Sequence, residues 1–395
     1  MNPDRLDYLD SVRGISAFVV LLYHCWMASY EALNGGLSAA FSSAPNLAHY
    51  VLEKLMAGRS AVVIFFVLSG FVLAYSLKLQ PLSFGRFAIK RFFRIYPAFV
   101  CVLLASYLLH SIVGIRSDIG TRFLTDAIIN VDLSTMALLK GLVFWGTEDT
   151  MKLDTVMWSL VHEMRISLLF PFILWSVLRQ KWRAVGFYGL FSIFCTTLSF
   201  FLSGKMSNGV EESTVVASLL ATGFFVVFFA VGALLCIEKE RLASKVAALD
   251  PWQKALLLLV TGACLVKSGT AVPSDYIHGL GAVGLIVLAL GSIRFQQLLV
   301  HRILTWSGRI SYGIYLVHLP VIYVVTQYSD VRGLALAPIV MIVSLPFAEA
   351  LNRFIEIPSN EFGRRLVSRP VTALELAPAS CLPLPLKRVH WVHRS

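Results

Sequence analysis

Long apolar segments, separated by short polar connections that carry most of the charge, run through nearly the whole chain. Ten of them are helix candidates, at roughly 13–30, 60–77, 95–113, 160–178, 184–203, 214–237, 253–268, 278–292, 309–327 and 333–350. Most reach the roughly 20 residues a helix needs to cross a bilayer. The segments at 253–268 and 278–292 are short for that purpose. The pattern predicts an all-α, polytopic integral membrane protein with about ten transmembrane helices in one bundle. The first apolar stretch is long and no small-residue cleavage site clearly follows it, so no removable signal peptide is expected.

Composition sharpens this picture. Of 395 residues 57% are hydrophobic and 14% charged, against about 25% charge in soluble domains. With the N-terminus cytoplasmic, the inside segments hold 24 Lys plus Arg and the outside loops 9, and Arg165 lies within a helix. This bias places both termini in the cytoplasm and the protein in the inner (plasma) membrane. The net charge of +11 is then largely a topology signal. Nucleic acid is not an expected partner, because no compact basic domain exists to hold it. Six cysteines without close pairing read as small core residues, and no His/Cys/Asp/Glu cluster suggests a metal. No nucleotide-binding glycine motif appears. The division expected is one membrane domain over 1–365 and a flexible cytoplasmic tail over 366–395. The loop 114–157 is expected to form a small cap, or to re-enter the membrane near Leu138–Phe144.

Polar residues inside the apolar segments are the candidates for chemistry, since an intramembrane ionisable group is costly. Arg13 and His24 are eleven positions apart. At about 100° per residue they share one face, separated by about 16 Å along the axis. They cannot touch, but they can mark the two ends of a polar track. A snorkelling arginine and a packed histidine account for them equally well. In Phe65-Phe66-Val67-Leu68-Ser69-Gly70-Phe71 the small pair Ser69-Gly70 favours close helix approach. Arg86, Lys90, Arg91 and Arg94, interleaved with Phe84, Phe87, Phe92 and Phe93, read as an amphipathic helix on the cytoplasmic leaflet. They suit anionic membrane lipids, or a polyanionic ligand whose phosphates meet Arg91 and Arg94. Glu163, in Trp158-Ser159-Leu160-Val161-His162-Glu163-Met164-Arg165, is either half of an inter-helix ion pair or the partner that orients a catalytic histidine. Ser311, Tyr315 and His318 form a polar stripe on one helix, with Tyr312 at its edge, suited to a hydroxyl-rich substrate or to an inter-helix network.

Together these residues resemble the acyltransferase-3 family of membrane-bound O-acyltransferases. The matching pieces are Asp10-x-x-Arg13-Gly14, the Arg13/His24 pair, the run ending in Ser69-Gly70-Phe71, Arg91-x-x-Arg94-x-Tyr96-Pro97, Trp158-Ser159-Leu160-x-x-Glu163, Ser311-Tyr312-x-x-Tyr315-Leu316-x-His318 and Glu356-x-Pro358. They occur in the family's order over about residues 5–365. The resemblance implies transfer of an acyl group, expected to be acetyl, from acyl-CoA as co-substrate to a hydroxyl of a carbohydrate or glycolipid acceptor, with no permanently bound cofactor. It makes Arg13 and His24 essential. His24 would act as general base, with Glu163 orienting it. Arg13, Arg91 and Arg94 would hold the CoA end of the donor, and Trp158, Ser311, Tyr312 and His318 would line the acceptor or acyl path. The hydrolase-like C-terminal domain that some members carry is not expected. Residue physics alone leaves a transporter or flippase of a modified glycan or lipid-linked intermediate nearly as good a reading, since buried charges also serve transport.

Overall fold

The computed structural model describes residues 6–37, 57–113, 133–144, 153–204, 214–266, 272–331 and 335–368, without the side chains of residues 30–37. The tail from 369 and most of the loop 114–157 lie outside the described residues. All ten apolar segments are helical: α1 (Asp7–Leu37), α2 (Gly58–Leu79), α3 (Phe84–Ile112), α5 (Trp158–Gln180), α6 (Trp182–Ser203), α7 (Val215–Ile237), α9 (Pro251–Leu265), α10 (Val272–Gly291), α13 (Ser311–Tyr328) and α14 (Leu336–Leu351). Short helices connect them: α4 (Thr135–Leu142), α8 (Lys239–Ala247), α11 (Ile293–Leu299) and α12 (Arg302–Arg309). A π-helical turn, Asn352–Glu356, leads from α14 into the closing α15 (Ile357–Ser368).

Among the described residues eight helices are long and apolar enough to cross a membrane, and α12 with α13, bent by 71° between them, would bring the number to nine if the pair counts as one span. The tenth segment, α9, has only 15 residues. It starts in a capping box in which the Asp250 backbone N–H donates to Gln253 Oε1 at 2.9 Å, with Pro251 in its first turn. Proline costs nothing there, since that N–H lies outside the helical ladder anyway.

The basic stretch 84–94 differs from the expectation of a surface helix. It is the first third of α3, which runs unbroken through Pro97. Arg91 and Arg94 turn into the bundle, where carboxylates receive them. Charge pairing inside the protein thus outweighs the lipid-facing arrangement that the i, i+4 spacing of Arg86, Lys90 and Arg94 suggests.

Lipid chains are as apolar as leucine, so helices in a bilayer hold together by close packing. Small residues provide it here. A Cβ on Gly70 would collide with the Phe229 carbonyl of α7, and one on Gly232 with the Val67 carbonyl of α2. The backbones of α2 and α7 therefore touch, as the Ser69-Gly70 pair implies, and α7 is buried along nearly its whole length. The same device joins Gly14 of α1 to Ser307 and Gly308 of α12. Polar side chains of α1, α2, α3, α5, α7 and α13 meet inside the bundle, while α6 is mostly exposed.

Candidate active site

The interior polar residues form two groups. In the first, α1 and α13 bring the two histidines together: His24 Nδ1 lies 3.0 Å from His318 Nε2, with ring centroids 5.1 Å apart. His318 is fully buried, and its Nδ1 lies 3.0 Å from the Ile314 carbonyl one turn earlier. A carbonyl only accepts, so His318 Nδ1 carries the proton and, in the neutral ring, Nε2 is an acceptor. His24 Nδ1–H then donates to it, and the lone pair of His24 sits on Nε2. His24 itself is half-buried.

Tyr315, one turn before His318, extends this group, with ring centroids 6.0 Å apart. Its hydroxyl donates to the Val156 carbonyl at 3.0 Å and is 2.6 Å from Ser159 Oγ. Val156 belongs to a 3₁₀ turn, Thr155–Met157, held by Asp154, whose Oδ1 accepts from the Val156 N–H at 3.3 Å. Burial pushes the Asp154 carboxyl up to about 7, against the opposing pull of that backbone bond and of Ser106. Beyond Ser159, Trp158 is almost fully enclosed because the Arg59 guanidinium lies over its ring, 5.1 Å from the centroid.

The second group is built around arginines. Arg91 Nη2 lies 3.5 Å from Glu163 Oε1 and donates to Ser167 Oγ at 3.1 Å. Ser69 Oγ donates to the same Glu163 oxygen at 3.1 Å. Arg94 Nη1 donates to Glu356 Oε2 at 3.2 Å, and Arg94 keeps 32% of its side chain accessible. Arg13 interacts electrostatically with Asp10, Arg94, Glu163 and Glu356. Tyr312 adjoins these charges and its hydroxyl donates to the Ile95 carbonyl at 2.9 Å. Ser311 is spent locally, on the Gly308 carbonyl at 2.9 Å.

The residues singled out in the sequence are therefore divided. His24 and His318 meet, and Arg13, Arg91, Arg94, Glu163 and Tyr312 share a second cluster. Glu163 contacts Arg91 and Ser69, while the imidazole of His318 contacts His24. Trp158 stands behind Arg59. His162 is buried and contacts Thr222 Oγ1 at 2.9 Å. Arg165 spans α5, α7 and the turn after α4, donating to Ser218 Oγ at 2.8 Å and to the Phe144 carbonyl at 2.9 Å. Phe144 adopts a left-handed backbone, φ 53°, as it presents that carbonyl.

Arg59 and Asp275 went unnoticed in the sequence. Both lie just outside candidate segments, where a charge reads as a loop residue. They form a bidentate pair, Arg59 Nε to Asp275 Oδ1 at 3.0 Å and Nη2 to Oδ2 at 2.5 Å. The signal available was that each is carried by a helix whose remaining residues are almost wholly apolar.

The described residues thus form a multi-span bundle that encloses an imidazole pair and an arginine–carboxylate cluster. The acyltransferase domain family model matches residues 6–353, and the chain belongs to that acyltransferase-3 family. It is a multi-pass membrane protein of an acyltransferase family. A protein of Bacillus subtilis (strain 168) named "Putative peptidoglycan O-acetyltransferase YrhL" is 24% identical, over 92% of this chain and 57% of its own length. The chain thus spans just over half the length of the curated relative it matches. No solved structure matches the chain.

Proposed function

We propose that the protein transfers an acetyl group from acetyl-CoA to a hydroxyl of a cell-surface glycan, with peptidoglycan the favoured acceptor. The carrying observation is the contact of His24 Nδ1 with His318 Nε2 at 3.0 Å. A thioester is already activated, but a sugar hydroxyl is a weak nucleophile and gains from a base. The neutral tautomer leaves the lone pair of His24 on Nε2. That atom takes the hydroxyl proton as the acceptor oxygen attacks the thioester carbonyl carbon. The C–S bond then breaks, and the imidazolium returns the proton to the departing CoA thiolate. His318 holds the His24 ring in the required tautomer, as second partners of catalytic histidines do.

The arginine cluster is the proposed donor end. Arg94, Arg91 and Arg13 supply N–H donors for the CoA phosphates, with Glu163 and Glu356 fixing their orientation. Arg13 and His24, about 16 Å apart on one helix face, suit a donor whose phosphates and thioester lie at opposite ends of a long flexible arm. In this reading the catalytic domain covers 1–365, both termini are cytoplasmic, and 366–395 is a tail. The acceptor proposal draws on the name of the Bacillus relative.

The test is turnover of labelled acetyl-CoA by purified protein in nanodiscs with peptidoglycan fragments. Wild type is expected to label the glycan and His24→Ala is not. Equal labelling by both would remove His24 as the base.

A further inference from the structure

Arg59 and Asp275 are 216 positions apart and join α2 to α10. A bidentate pair is enough to pin two helices, yet this one has further features. Arg59 also faces two rings, 5.1 Å from Trp158 and 5.5 Å from Phe225, which fixes the plane of the guanidinium as well as its position. Nε and Nη2 are both engaged by the carboxylate, whereas Nη1 donates to nothing among the described residues. Asp275 keeps 2% of its side chain accessible and Arg59 keeps 21%. The acid is thus sealed behind a base that stays open. Arg59 also interacts electrostatically with Tyr315, which leads through His318 to His24.

We infer that Arg59 is a binding residue of the acceptor subsite. Its open edge donates hydrogen bonds to a neutral sugar oxygen, a hydroxyl or the carbonyl of an N-acetyl group, while Asp275, Trp158 and Phe225 are positioning residues. A neutral oxygen suits this edge, because the Asp275 carboxylate behind the guanidinium balances its single charge and leaves a hydrogen-bond donor. A planar fork held in place spends little entropy on binding. Trp158 belongs to the family-like motif, but its ring is covered, so Arg59 is the surface it offers to a ligand. The inference rests on the proposed transfer to a carbohydrate.

The test is direct binding of an N-acetylglucosamine–N-acetylmuramic acid oligomer to full-length protein in nanodiscs, alongside acetyl-CoA binding and turnover. In Arg59→Gln the glycan dissociation constant is expected to rise at least tenfold, with that of acetyl-CoA unchanged. Arg59→Lys keeps a charge for Asp275 but loses the fork. It is expected to melt near wild type and still bind glycan at least fivefold more weakly. Unchanged glycan affinity in Arg59→Lys and Arg59→Gln overturns the inference, as does a wild type that turns over acetyl-CoA without binding the glycan; the acyltransfer reading survives both results. A wild type that neither binds nor turns over acetyl-CoA overturns the acetyl-CoA reading and this inference with it.

Discussion

Arg94 Nη1 lies 3.2 Å from Glu356 Oε2, and Glu356 is 1% exposed although its chain neighbours Ile355 and Ile357 are not enclosed. The guanidinium reaches into the bundle from α3 and the carboxylate from the π-helical turn, so this pair ties the third helix to the end of the membrane domain. Breaking a buried pair on one side leaves a desolvated charge, at a cost of about 3–5 kcal/mol, whereas neutralising both partners is milder. Partial exposure of Arg94 places it at the lower end of that range.

Arg94→Ala is therefore expected to lower thermal stability more than Arg94→Ala/Glu356→Gln does. Both variants should bind acetyl-CoA at least tenfold more weakly than wild type. Melting curves separate the two effects from donor titrations, and unchanged donor affinity in both would detach Arg94 from the donor site.

His318→Gln is expected to reduce kcat by about 10²-fold, within the range of general-base effects. Its acetyl-CoA KM should change little, because the proposed role of His318 is to hold His24 and not to bind the donor. A change in the pH profile of kcat would accompany the loss if His318 sets the tautomer of His24. A lowered kcat with an unaltered profile and a lowered melting temperature would assign His318 to packing alone.

Gly70→Ala and Gly232→Ala should each destabilise the bundle by several kcal/mol, since the added methyl meets main-chain atoms, which cannot swing aside. Gly262→Ala is the control, because open space surrounds that position. Detergent-solubilised yield and melting temperature report the difference. Equal behaviour of the three variants would contradict backbone contact between α2 and α7.

Asp154 provides a pH test of stability. Its carboxyl is raised from 3.8 to about 7 in the folded chain. The folded state therefore binds the proton more tightly than the unfolded chain does, so this group's contribution is fully present below pH 3.8 and is lost as pH rises through about 7. Wild type should melt several degrees lower at pH 8 than at pH 5, and Asp154→Asn should flatten that slope. An identical slope in both proteins would show that Asp154 does not govern it.

The sequence was informative where physics acts locally. Apolar segment length located the helices, and Ser69-Gly70 announced a close crossing before its partner, Phe229, was known. Arg13 and His24 were legible as two ends of one face because helical periodicity relates them directly. The partner of His24 was not legible, because His318 approaches from another helix and no spacing rule links the two. Glu163 was legible as an intramembrane carboxylate, but its contacts, Arg91 and Ser69, lie on other helices that no spacing rule links to it. The basic run on α3 looked like a surface helix because periodicity reports which residues share a face, not whether carboxylates wait on the other side. Arg59 and Asp275 were hidden by sitting where apolar segments begin.

The turn Asn352–Glu356 winds wider than the α-helices on either side of it, and a π segment accommodates one residue more than an α-turn of the same rise. Removing a single residue there would restore ordinary winding and leave the helix beyond in nearly its present phase, because the wider turn already absorbs the extra residue. Phe362, 5.2 Å from Phe93 in ring centroids, would then stay against α3. A one-residue deletion should therefore be tolerated in this turn far better than in the regular helix on either side, where the same deletion rotates everything beyond it by about 100°.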